Sequence, residues 1–121
     1  MSFTDPVALT LAGATKNLVK IRPTGQFGSE YLLSEATQEF RLFIRTQELG
    51  LESDGRRKVR SNISLRWTVF ATSTSAEITR QTSATFEHYK GDDVTAWDDT
   101  AIAVAGMMTA ANMVKLNNYE S

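Results

Sequence analysis

Apolar and polar residues alternate over most of this chain, and the period changes once, near Gly91. Alternation marks strands with one covered face, whereas a spacing of three to four residues marks helices. Val7, Leu9 and Leu11 alternate, Ala12-Gly13-Ala14 turns the chain, and Leu18, Val19 and Ile21 resume the pattern up to Pro23, so residues 1–22 contain an N-terminal β-hairpin. The run Pro23-Thr24-Gly25-Gln26-Phe27-Gly28 is loop chemistry, and a short strand is expected over 29–34.

Three longer strands follow. Over 39–49, Phe40, Leu42, Ile44 and Thr46 share one face, with Arg41, Phe43, Arg45 and Gln47 opposite. A turn with its tip at Ser53-Asp54-Gly55 leads into 57–70, where Val59, Ser61, Ile63, Leu65, Trp67 and Val69 oppose Lys58, Arg60, Asn62, Ser64, Arg66 and Thr68. A Ser/Thr-rich connection at 71–76 precedes the last strand, 77–90. There Ile78, Thr82, Ala84, Phe86 and His88 are set against Thr79, Gln81, Ser83, Thr85, Glu87 and Tyr89. Long strands joined by short loops predict an antiparallel meander over 29–90, apolar on one face and polar on the other.

Past Gly91 the spacing is helical over 95–118. Thr95 with Asp98 approximates a capping box, and Asp92, Asp93, Asp98 and Asp99 suit a helix start electrostatically. Trp97, Ala101, Val104, Ala105 and Met108 fall on one stripe; Gly106 is the expected bend and Asn117-Asn118 the expected stop. Trp97, Val104, Met108, Met113 and Leu116 are too many apolar groups for an exposed tail, so they are expected against a sheet, either their own or that of a second copy. The fold class is α+β, in one domain spanning 1–121, as suits a chain of 121 residues.

Composition narrows the chemistry. With 41% hydrophobic and 22% charged residues the chain is globular rather than disordered, and it has no cysteine for a disulfide, a thiolate metal site or a nucleophile. The uncharged run 101–111 is too short to span a bilayer, and the signal-peptidase-like Ala12-Gly13-Ala14 is read as a turn. Catalysis has little to stand on: His88 is the sole histidine, and its parity places it with Phe86 as a structural side chain. The spacing of the four aspartates departs from a calcium loop and is read as helix-start stabilisation. No catalytic, metal or cofactor site is expected.

A net charge of −1 hides a local positive field. Residues 41–66 hold seven of the 13 basic side chains (Arg41, Arg45, Arg56, Arg57, Lys58, Arg60, Arg66) against Glu48, Glu52 and Asp54. Arg41, Arg45, Lys58, Arg60 and Arg66, interleaved with Gln47, Asn62, Ser64, Gln81, Ser83 and Thr85, offer cations for phosphates and amides and hydroxyls for splayed bases. Phe43 and Tyr89 add stacking surfaces. Pattern alone fits an RNA-binding face and a solvated, aggregation-resistant sheet face equally well.

The order of elements resembles the coat proteins of the single-stranded RNA bacteriophages, the levivirus group. The resemblance covers nearly the whole chain: the N-terminal hairpin, S-E-Y-L-L-S at 29–34, F-R-L-F-I-R-T-Q-E at 40–48 and the basic strand from Arg56. F-E-H-Y-K-G at 86–91 and a two-part helical tail ending N-Y-E-S continue it. It implies two subunits joined edge to edge in a ten-stranded sheet, with C-terminal helices crossing onto the partner, and an icosahedral shell whose inner sheet face meets single-stranded RNA. In several members that face also binds an operator hairpin that represses translation. Two departures stand out: the 71–76 connection is short, and the adenine-reading residues of better-known members do not map onto identical types here. The resemblance thus implies a structural virion protein, present in the bacterial cytoplasm before assembly. A cellular dimeric RNA-binding regulator is the alternative.

Overall fold

The computed structural model describes residues 3–25 and 27–120; Met1, Ser2, Gln26 and Ser121, which the expected hairpin, loop and tail include, lie outside the described residues. Six strands form one antiparallel sheet in chain order: β1 (Val7–Leu11), β2 (Ala14–Pro23), β3 (Gly28–Ser34), β4 (Gln38–Leu51), β5 (Arg57–Val69) and β6 (Ile78–Tyr89). Helices α1 (Val94–Gly106) and α2 (Ala110–Asn117) follow. This is the sheet-then-helices architecture expected from the sequence.

The β1–β2 turn has positive φ at both Ala12 (50°) and Gly13 (80°), the backbone twist that a tight two-residue hairpin requires. Gly13 takes it freely; Ala12 takes it at a small steric cost. A register shift between Lys20 and Arg22 lets β2 change its pairing with β3, so the hairpin curls toward the apolar side of the sheet. Val7, Leu9 and Leu11 of β1 then pack on a core of Leu18, Tyr31, Phe40 and Leu42, all at most 3% exposed. Each such side chain contributes on the order of 2 kcal/mol from the hydrophobic effect. Phe40 and Trp67 stack across β4 and β5 at 5.7 Å, and the Trp67 indole N–H donates to Gln38 Oε1 at 2.8 Å.

Covering of the sheet stops there. Toward β6 the apolar face carries Ile63 and Ile78, which stay 36% and 48% exposed. Arg80, which the alternation of β6 places on this face, lies over the Trp67 ring at 4.6 Å.

The helices differ from expectation at their starts. The cap of α1 is Asp93, whose Oδ1 accepts the Thr95 N–H at 3.0 Å; Thr95 and Asp98 form no capping box, because the helix begins two residues earlier than that pairing needs. Gly106 does end α1. Thr109 caps α2 by accepting the Asn112 N–H at 3.2 Å, while the Asn112 amide donates to Met107 O at 2.8 Å and fixes the angle between the helices. Lys115 sits in the last turn of α2, where a cation favours the dipole.

Candidate nucleic-acid interface

Strand register decides what the polar face can do. Directly opposed residues on neighbouring strands point to the same side of a sheet, and here they form crosswise rows: Arg41–Arg66–Gln81, Phe43–Ser64–Ser83, Arg45–Asn62–Thr85 and Gln47–Arg60–Glu87, with Lys58 opposite Tyr89. All twelve residues that sequence patterning assigned to a nucleic-acid face therefore share one surface.

That surface also carries acids. Opposite Phe43 stands Glu30 of β3, and Glu39 and Glu87 lie on the same side. Glu30 is 2% exposed and accepts from Arg22 Nε at 2.6 Å and Arg41 NH1 at 2.8 Å. Burial pushes its carboxyl up, but the paired arginines outweigh this and hold it below the ordinary glutamate value. Arg41 also donates to Glu39 at 3.1 Å; these two carboxylate partners raise its own pKa. Arg60 directs both Nε and NH2 at Glu87 Oε1, each at 2.6 Å.

The five-cation patch is thus smaller than expected. Arg41 is neutralised by Glu39 on its own strand and by Glu30, 11 residues away, and Arg60 by Glu87, 27 residues away; the two cross-strand pairings are ones that no local pattern reveals. Arg45, Lys58 and Arg66 make no ion pair among the described residues. Arg66 lies over the Phe43 ring at 5.5 Å and Lys58 over the Tyr89 ring at 5.5 Å, so two of the three unpaired cations rest on aromatic faces. At the turn end, Arg56 covers the same Tyr89 ring at 4.1 Å and pairs with Asp54 at 2.7 Å. Arg57 faces Glu48 at 3.3 Å instead of joining the strip.

The uncharged members are tightly ordered. The Asn62 Nδ2 donates toward Ser83 Oγ, Ala84 O and Thr85 Oγ1 at 2.9, 3.2 and 3.0 Å. Gln81 donates to Ser64 Oγ at 3.3 Å; Ser64 is 8% exposed, so it supports Gln81 from beneath and is not itself a contact surface. Two shallow depressions result, one of about 410 Å³ lined by Arg45, Gln47, Arg60, Asn62, Thr85 and Glu87, the other of about 540 Å³ that includes Phe43, Arg45, Arg66, Gln81 and Ser83. A hydrogen-bonded floor with unpaired cations beside it has the chemistry to hold a polyanion and its planar bases.

The opposite side has a different character. Val104, Met108, Met113 and Leu116 are 58%, 52%, 45% and 61% exposed, so four of the five expected contact residues are uncovered in the single chain. Trp97, the fifth, is half-buried because it stacks on His88 of its own sheet, ring centroids 4.4 Å apart. His88 is thereby occupied as a structural side chain, its Nδ1 3.0 Å from Tyr89 O. A cavity of about 410 Å³ separates α1 from β6, lined chiefly by Phe86, Trp97, Ala101, Val104 and Met108.

Comparison with known proteins agrees with this geometry. The family model described as "Phage phiCb5, coat protein" matches residues 4–89, well over half of the chain. No curated protein matches.

Proposed function

Because the chain belongs to the phage phiCb5 coat-protein family, we propose that it acts as a single coat-protein domain. It would dimerise through its helices, assemble into an icosahedral shell and bind the single-stranded RNA genome on the polar face of its sheet. Membership makes it a structural capsid protein of a phage, with no enzymatic role and a place in the virion. The further steps are our reading.

Dimerisation is supported by the uncovered apolar groups. Val104, Met108, Met113 and Leu116 on the helices and Ile63 and Ile78 on the sheet stay wet in one chain, and a second copy related by a two-fold axis would bury both sets at once. β6 ends the sheet as an unpaired edge, where a second β6 would extend it. RNA binding is supported by one observation: Arg45, Lys58 and Arg66 have no ion partner among the described residues and stand beside hydrogen-bonding side chains on one face. Exposed amides, hydroxyls and the Phe43 ring supply the rest of a single-strand surface. Such a subunit would reside in the bacterial cytoplasm until it assembles, and an operator hairpin would use the same face.

Electron microscopy of the protein expressed alone, followed by nitrocellulose filter binding of dissociated subunits to unstructured RNA across a salt series, tests the reading. Uniform shells and an affinity that falls steeply with salt are expected. A persistent monomer, or no RNA retention at low salt, would overturn it.

A further inference from the structure

The depression lined by Arg45, Gln47, Arg60, Asn62, Thr85 and Glu87 contains a carboxylate, which a surface built only for phosphate would not place there. Its position is specific. Both Arg60 nitrogens converge on Glu87 Oε1, which leaves Oε2 without a protein partner among the described residues. Arg60 and Glu87 are 45% and 39% exposed, so the pair faces solvent as a unit, with a donor beside an acceptor. The Asn62 amide is oriented as well. Ala84 O can only accept, so the nitrogen must face it, and the Asn62 Oδ1 keeps free accepting capacity.

We propose that this pair reads guanine in single-stranded RNA, a specificity that rests on the RNA-binding reading above. An unpaired base displays its Watson–Crick edge to the protein. Guanine presents O6, N1–H and the N2 amino group in that order, one acceptor followed by two donors. The Arg60 guanidinium answers O6 with its remaining N–H groups, and Glu87 Oε2, the oxygen left free, accepts from both the imino N1–H and the neighbouring amino group. The other bases fit worse. Adenine and cytosine each place a ring-nitrogen acceptor beside their single amino group, and uracil flanks its one N–H with two carbonyls; each would set a lone pair against the carboxylate. Arg45, next along the sheet in the row Arg45–Asn62–Thr85, has no ion partner among the described residues and would meet the adjoining phosphate.

Fluorescein-labelled uridine decamers carrying one central guanosine, inosine, adenosine or cytidine test this by fluorescence polarisation with dissociated full-length protein at low salt. Inosine keeps O6 and N1–H but lacks the amino group. The guanosine decamer is expected to bind about tenfold more tightly than the inosine or adenosine decamer. Glu87→Gln should erase the guanosine–inosine difference and tighten binding of every decamer, since it removes a negative charge from the face. Ser73→Ala, in the exposed 71–76 loop, should leave the preference in place. Equal affinities for guanosine and inosine in the parent protein would overturn the guanine site while leaving general RNA binding intact. No binding of any decamer would overturn both.

Discussion

Trp97 lies flat on His88, with ring centroids 4.4 Å apart and planes 4° from parallel. This stack ties the first turn of α1 to the end of β6, and further along the helix Val104 and Met108 stay exposed beside the cavity that separates α1 from β6. The aromatic contact anchors the start of α1 on its own sheet.

Trp97→Ala should loosen that anchor. Loss of the stack and of the half-buried indole is expected to cost about 2 kcal/mol, seen as a lower urea midpoint, whereas Trp97→Phe should recover roughly half. An unchanged midpoint for the alanine variant would mean that other contacts place the helix.

Glu30 makes stability depend on acidity. Its carboxyl is held below the ordinary value of 4.5 in the folded chain, with burial opposing and Arg22 and Arg41 prevailing. A group depressed on folding contributes stability that is fully present above its unfolded pKa and is lost as pH falls through its folded pKa. Wild-type protein should accordingly lose stability below about pH 4.5. Glu30→Gln should flatten that part of the profile and cost about 2 kcal/mol at pH 7, because hydrogen bonds to a charged group are removed. Parallel pH–stability curves for the two proteins would argue against this role.

Much of this architecture was legible in the alternation of side chains. Register between β4 and β5 followed from the demand that Phe40, Leu42 and Ile44 meet Trp67, Leu65 and Ile63, so the polar rows fell into line automatically. Local spacing did not reveal the acids that quench the patch. Glu30 and Glu87 lie on different strands from the arginines they bind, and only the folded sheet brings them together. Arg80 was missed for a related reason: an arginine on an apolar face is tolerated because its planar group covers an indole. The cap of α1 lies at Asp93, two residues before the expected Thr95, because the aspartate carboxylate accepts the Thr95 N–H and so draws that residue into the first turn.

Gly28 is expected to resist substitution. A methyl group there would run into the Thr24 carbonyl oxygen and stand 2.6 Å from Thr24 Oγ1 and 3.3 Å from Arg45 Cβ. The Thr24 N–H donates to Gly28 O at 3.0 Å, so the loop cannot retreat without breaking its own closure. Gly28→Ala should lower the thermal midpoint by an amount worth about 1–3 kcal/mol. Because Arg45 shares this contact, the same variant should also weaken RNA retention on filters. A variant as stable as the parent would show that the loop has room to move.

The division of the polar face into free and neutralised cations gives the sharpest contrast. Arg45 and Arg66 have no carboxylate partner among the described residues, while Arg41 bridges Glu30 and Glu39. A phosphate that meets Arg45 or Arg66 displaces only water and counterions; one that meets Arg41 must compete with two carboxylates already in place. Replacing Arg45 and Arg66 together by alanine should lower the slope of log affinity against log salt by roughly two. Folding should be little affected, since exposed cations without partners stabilise little. Arg41→Ala should behave in the opposite way. It leaves the buried Glu30 with Arg22 alone, so it should cost about 1–3 kcal/mol of stability and change the salt slope by less than one. Filter binding over a salt series, paired with urea denaturation of the same variants, separates the two outcomes. If Arg41→Ala lowered the slope as much as the double variant, Arg41 would be contacting phosphate directly and its carboxylates would not be holding it back.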